Sequence, residues 1–139
     1  MKQKNTSENI LPLDDFSPTQ KDLMERIEKI RKKPMLVLFL SDEILINEDC
    51  ILPLYQQLQS LGPVPDLDLF LYSRGGTTET PWKIVSLLKE FTKNFSVIIP
   101  YRAHSAATHI ALGASEIVMG PISELSPVDP TRMHPLLPI

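Results

Sequence analysis

Phe95-Ser-Val-Ile-Ile-Pro-Tyr-Arg-Ala-His-Ser-Ala-Ala-Thr-His-Ile-Ala-Leu-Gly-Ala-Ser-Glu-Ile-Val-Met119 decides the fold. Phe95 to Ile99 is a short apolar run closed by Pro100, which reads as a strand. Ser105 to Leu112 reads as a short helix ending at Gly113. Glu116 to Met119 returns to a strand. A strand, a loop, a short helix and a second strand make a βαβ unit, and such units build a mostly parallel sheet.

The same alternation extends toward the N-terminus. Met35 to Leu40 is a continuous apolar run, as in a strand buried on both faces. Glu48 to Leu61 reads as a helix with Pro53 in its first turn, and Gly62, Pro63 and Pro65 then break the chain. Leu67 to Tyr72 is a further strand. Thr80 is expected to cap a helix with Pro81 at its first position, and Ile84, Leu87, Leu88 and Phe91 give that helix one apolar face. Right-handed crossovers are expected between the strands. Before the alternation, Met1 to Phe16 reads as a polar lead-in. Ser17 is then expected to cap a helix, with Pro18 at its first position and Gln20 completing a capping box. Leu23, Ile27 and Ile30 give this helix a narrow stripe. Arg31, Lys32 and Lys33 end it where the dipole favours cations, and they read as a solvated helix end. Two parts follow: a lead-in and helix over 1–33 and an α/β core over 34–139.

Composition narrows the function classes. The 139 residues suit one domain, with 42% hydrophobic and 22% charged residues in the usual globular balance. A net charge of −3 argues against a broad basic field, so no nucleic-acid partner is expected. The longest apolar run, Met35 to Leu40, is far short of a bilayer span, so no membrane segment is expected. The single Cys50 forms no internal disulfide and suits a reducing cytoplasm. The 13 prolines are nearly twice the usual ~5% and cluster late, which makes regular structure unexpected there.

In parallel α/β sheets, chemistry gathers at the carboxyl ends of strands. Two such ends carry unusual residues. Tyr72-Ser-Arg-Gly-Gly-Thr-Thr78 places two adjacent glycines after a strand. They form either a plain turn or a close backbone approach whose bare N–H groups stabilise an oxyanion. Pro100 to Thr108 places Ser105 at the start of a helix among small residues. It is either an N-cap or a nucleophile at the positive end of the dipole. Trp82, Tyr55 and Tyr101 read as packing aromatics, and Lys83, Lys89 and Lys93 as solvated. No metal is expected, since His104, His109 and Glu116 lack ligand spacing.

Leu71 to Gly76, Val97 to Tyr101, Ala103 to Thr108, Ala111 to Ala114, Met119 to Leu125 and Pro127 to Pro130 together resemble the serine dehydrogenase proteinase family. That family belongs to the Clp-protease and crotonase-like superfamily. The resemblance covers about Asp66 to Pro130, with weaker agreement from Met35. It implies a Clp/crotonase-like spiral of βαβ units and a serine nucleophile at Ser105. It also implies an oxyanion hole from the Gly75-Gly76 backbone, with the Ala106 N–H as a second donor. No Gly-x-Gly-x-x-Gly occurs, so the residues read as peptidase-like, with no dinucleotide or other cofactor expected. The family's chains tend to run past the Pro-Val-Asp-Pro segment, so this one is expected to be C-terminally incomplete or a shortened paralogue.

A serine needs a base within hydrogen-bond reach. The place where a Clp-like protease carries its histidine falls here in Pro127 to Pro130, where Asp129 is the titratable group; it reads either as an orienting carboxylate or as a turn-former. His109 lies on the same helix face as Ser105, and helical side chains tilt toward the N-terminus, so it reads either as the base or as a satisfied, part-buried histidine. His104 does not face Ser105, and His134 sits in a proline-rich tail.

The function read from these residues is a serine peptidase acting on a peptide or protein substrate and assembling as a homo-oligomer. Two alternatives stand beside it: an inactive oligomerising or peptide-binding module of the same fold, and a crotonase-like acyl-CoA enzyme. On the peptidase reading, Gly76→Val is expected to harm activity more than folding.

Overall fold

The computed structural model describes residues 18–128. The lead-in, Ser17, Asp129, His134 and the apolar tail residues Met133, Leu136, Leu137 and Ile139 lie outside the described residues. The chain up to Lys32 and the chain from Lys33 onward are separate compact units.

In the first unit, helix α1 runs Gln20–Arg31. Its cap is Thr19, not the expected Ser17. Thr19 Oγ1 accepts the Asp22 N–H at 3.2 Å, and the Asp22 carboxylate accepts the Thr19 N–H at 2.9 Å. The reciprocal box forms here because Thr19 and Asp22 stand three apart with a carboxylate in the first turn. The Thr19 side-chain and backbone hydrogen bonds hold the Asp22 carboxyl below its ordinary value. Lys32 ends the helix in the left-handed region, with φ 57°.

The second unit contains β1 (Met35–Phe39), a 3-10 turn (Glu48–Cys50), α2 (Ile51–Leu61), β2 (Val64–Tyr72), α3 (Thr80–Phe91), β3 (Thr92–Ile99), β4 (Arg102–Ala103), α4 (Ala106–Leu112), β5 (Glu116–Met119) and β6 (Glu124–Leu125). Four strands form one sheet in the order β1-β2-β3-β5, every pair parallel. Strands β4 and β6 form a second, two-stranded parallel sheet. A bridge between Ser73 and Ala103 joins the end of β2 to β4. This is the expected parallel α/β architecture; the small second sheet was not anticipated.

Alternation along β2 sorts its side chains. Leu67, Leu69 and Leu71 are fully buried and join Leu54 and Leu58 of α2, Ile84 and Leu88 of α3, and Ile110 of α4 in one core. Phe95, Val97 and Ile99 of β3 enter the same core. Each fully buried leucine contributes roughly 1.5–3 kcal/mol of transfer free energy. Helices whose apolar faces repeat at i, i+3, i+4 therefore lie against strands whose apolar residues repeat every second position.

Several boundaries differ from expectation for physical reasons. Pro65, expected to break the chain, lies inside β2. The first β1–β2 pair is Met35 with Asp68, so Pro65 precedes the reach of β1 and its missing N–H loses no bond to that strand. Pro53 sits in the first turn of α2, but a 3-10 turn capped by the Asn47 side chain precedes that helix. Thr80 opens α3 from within, behind Glu79, and its hydroxyl bonds that of Thr77 at 2.7 Å. Lys33, expected on a solvated helix end, is an internal tie. Its Nζ lies 3.0 Å from Ser96 Oγ, 3.4 Å from the fully buried Asp68 and 3.8 Å from Glu116. The register sets Asp68, Ser96 and Glu116 in one row across β2, β3 and β5.

Candidate active site at the ends of β2 and β3

Beyond Tyr72 the β2 chain is held on both sides. On one side Ser73 N–H donates to Arg102 C=O at 3.1 Å, and His104 N–H donates to Ser73 C=O at 3.0 Å. On the other side Ile46 N–H donates to Gly75 C=O at 2.8 Å, and Thr77 N–H donates to Ile46 C=O at 2.9 Å. The Ser73 hydroxyl is buried beneath this loop and accepts the Gly75 N–H at 3.1 Å. A serine bonding the N–H two residues on is a local turn motif, so this contact was readable from Ser73-Arg-Gly75.

The two glycines have different reasons to be glycine. Gly75 has φ 123°, a region L side chains rarely adopt, and a Cβ there would lie 3.0 Å from Ser105 Cβ. Gly76 lies against Ile46, and a Cβ there would come within 2.0 Å of the Ile46 carbonyl oxygen. The expectation that Gly76→Val harms activity more than folding is therefore corrected, because the side chain would strike the Ile46 backbone first.

Ser105 stands at the junction of β4 and α4 with φ 49° and ψ −112°. It occupies the N-cap position of α4, yet its side chain makes no capping hydrogen bond. The capping alternative thus applies to its place and not to its hydroxyl. Among the described residues, Ser105 Oγ has no hydrogen-bond partner. A non-glycine residue held at positive φ costs of order 1–3 kcal/mol and persists only where its surroundings impose it. Its own N–H donates to Ser126 Oγ at 2.7 Å. Ala106 and Ala107 are buried in the core, so their small size lets α4 approach the sheet.

The backbone donors divide clearly. Gly75 N–H is committed to Ser73 and Ser105 N–H to Ser126. Among the described residues no acceptor takes the N–H of Gly76 or of Ala106.

The titratable groups fall elsewhere. His109 is half-buried on α4, makes no hydrogen bond to Ser105 among the described residues, and lines a pocket of about 380 Å³ with Thr78, Trp82, Val85, Lys89 and Leu112. Trp82, expected to pack, is 75% exposed at that pocket. His104 Nε2 lies 3.7 Å from Glu124, which also accepts from Arg102 Nε at 3.1 Å. That hydrogen bond raises the Arg102 value further above its ordinary range. The Arg102 guanidinium lies 4.3 Å from the Tyr101 ring centroid. Lys83 is solvated as expected and forms a surface pair with Glu48. Asp129 lies outside the described residues, and among those described no cluster of three or more His, Cys, Asp or Glu could hold a metal. Ser126 and Thr108 were missed in the sequence. Both act across the fold, and no local pattern marks them.

Three comparisons bear on this geometry. Two uncharacterized proteins of Methanocaldococcus jannaschii match at 39% and 38% identity over 64 residues, which is 46% of this chain. The matched stretch is 22% of each relative's length. The ClpP protease catalytic domain from Plasmodium falciparum superposes with a TM-score of 0.51 at 19% identity, covering 76% of this chain and 64% of that one. At that identity the likeness is one of fold. The sequence model of the ClpP-like SDH-type serine proteinases matches residues 58–136, a stretch that contains the glycine loop, the strained Ser105 and the segment from Ser126. The match takes in more than half of the chain, which therefore belongs to the ClpP-like SDH-type serine proteinase family.

Proposed function

We propose that this chain is a serine-peptidase domain in which Ser105 attacks the carbonyl of an extended peptide. The single observation that carries the reading is Ser105 itself: a positive-φ serine at a helix start whose hydroxyl serves no cap. A bond forms between Ser105 Oγ and the carbonyl carbon, and the hydroxyl proton passes through a base to the leaving amine as the C–N bond breaks. Water then hydrolyses the acyl ester. The N–H groups of Gly76 and Ala106 are the oxyanion donors in this reading, because those of Gly75 and Ser105 are already taken. Gly75 contributes space, lying against Ser105 where any side chain would intrude. A substrate strand adds to a free sheet edge by main-chain hydrogen bonds.

In this reading His109, on the nucleophile's own helix, is the base, and Asp129 is an orienting carboxylate. His109→Gln then lowers turnover at every pH and Asp129→Asn lowers it less; turnover of His109→Gln near the parent's removes His109 from that role. A homo-oligomer in a reducing cytoplasm completes the reading, in keeping with the single Cys50. Among the described residues no helix is long and apolar enough to cross a membrane.

One observation favours a second reading, a noncatalytic peptide-binding or oligomerising module: among the described residues Ser105 Oγ makes no hydrogen bond to a base. Turnover of quenched-fluorescent peptides separates the two. The peptidase reading expects Ser105→Ala to lower turnover by at least roughly a thousandfold. Peptide binding without turnover supports the module, and turnover that survives Ser105→Ala overturns the nucleophile.

A further inference from the structure

A short hydrogen-bonded circuit surrounds the backbone of Ser105. Its N–H donates to Ser126 Oγ at 2.7 Å, and the Ser126 hydroxyl donates onward to Pro127 C=O at 3.1 Å. Ser126 N–H donates to Thr108 Oγ1 at 3.3 Å. The Thr108 hydroxyl lies 2.7 Å from Ala103 C=O and 3.1 Å from Ser126 C=O. Ser126, which follows β6, is therefore bound both to the nucleophile's own amide and to the helix one turn beyond it. These bonds join segments 21 and 18 positions apart in sequence.

A serine at φ 49° has no local preference for that conformation, so something outside its own segment must hold it. The Ser105 amide is the group whose direction changes if φ relaxes to an ordinary negative value. Ser126 Oγ holds that amide, and its own proton is engaged with a carbonyl, which polarises the oxygen as an acceptor. The same bond removes the Ser105 N–H from the donors available to an oxyanion and leaves that task to Gly76 and Ala106.

We propose that Ser126 is a positioning residue for Ser105, keeping the nucleophile's backbone in its strained conformation and its hydroxyl free of the helix cap. This rests on the reading of Ser105 as the nucleophile. A displacement of about 1 Å at a reacting group costs up to about 100-fold in rate. Ser126→Ala leaves the Ser105 amide without its acceptor, whereas Ser126→Thr retains a hydroxyl at the same place.

The test is the rate of Ser105 modification by a fluorophosphonate, read beside amide hydrogen exchange at Ser105 and thermal unfolding. Ser126→Ala is expected to slow labelling roughly 10- to 100-fold and to speed exchange of the Ser105 amide. Ser126→Thr is expected to restore both. Ser126→Cys, with a weaker acceptor in nearly the same volume, falls between them and serves where the alanine variant loses its fold. Labelling of Ser126→Ala or Ser126→Cys at the parent's rate overturns the role of Ser126 and leaves the nucleophile standing. Failure of the parent itself to label overturns the nucleophile, and the positioning role with it.

Discussion

Gly75 and Ser105 touch across the gap between two loops: a Cβ on Gly75 would lie 3.0 Å from the Ser105 Cβ, 3.3 Å from the His104 carbonyl oxygen and 3.6 Å from Ser105 Oγ. The glycine at φ 123° and the serine at φ 49° are both in the left-handed half of backbone space. Each is held there by hydrogen bonds from outside its own loop.

Gly75→Ala should cost about 1–3 kcal/mol of stability through its backbone alone. The new methyl also pushes on Ser105, so the rate of Ser105 labelling should fall further than the fraction of folded protein does. Chemical denaturation gives the stability and a fluorophosphonate gives the rate. Labelling that tracks the folded fraction would show that the contact has no bearing on the site.

Gly76→Ala should destabilise more, by roughly 3 kcal/mol or more, because its methyl meets backbone that cannot swing aside. The unfolding midpoint should drop below that of Gly75→Ala. The reverse order would mean that the Ile46 bridge yields easily.

Lys33→Met should lower stability by about 1–3 kcal/mol, since it takes one charged partner from the fully buried Asp68. A midpoint unchanged in urea would place the tie among those that contribute little.

Tyr72 offers a pH test. Its hydroxyl donates to the Asp42 carboxylate at 2.7 Å. That bond, then desolvation and the Asp42 charge, raise the phenol above its ordinary value near 10. Ionisation removes the donated proton. The bond is therefore intact below the ordinary phenol value and is lost as pH rises through the elevated one. In a background of Tyr55→Phe and Tyr101→Phe, tyrosinate absorbance should appear at lower pH once Asp42→Ala is introduced. An unchanged titration curve would contradict the assignment.

The parts of the fold legible in the sequence are those set by local chemistry. Leu67, Leu69 and Leu71 alternate, and Ile84, Leu87, Leu88 and Phe91 repeat at helical spacing, so β2 and α3 could be read directly. Proline and cap positions misled by a residue or two, because Thr19 and Ser17 offer similar chemistry and only the folded turn chooses between them. Lys33 was unreadable for another reason: its carboxylate Asp68 and hydroxyl Ser96 are far away in the chain. The candidate site divides the same way. The Gly75-Gly76 pair and Ser105 announce themselves at strand ends, whereas the clash of Gly76 with Ile46 and the hold of Ser126 on Ser105 exist only after folding.

Assembly is tested by light scattering at micromolar concentration. A mass that is a multiple of 15.7 kDa is the expected outcome, in line with the closed symmetry common among soluble assemblies. A mass of one chain would remove the homo-oligomer from the account.

The central claim is that Ser105 is an activated nucleophile. Incubation of the 139-residue chain with a fluorophosphonate, followed by intact-mass measurement and peptide mapping, tests it most directly. The account predicts a single adduct on Ser105, absent from a Ser105→Ala protein that unfolds at the parent's temperature. An adduct on another serine, or none on a folded parent, would contradict it.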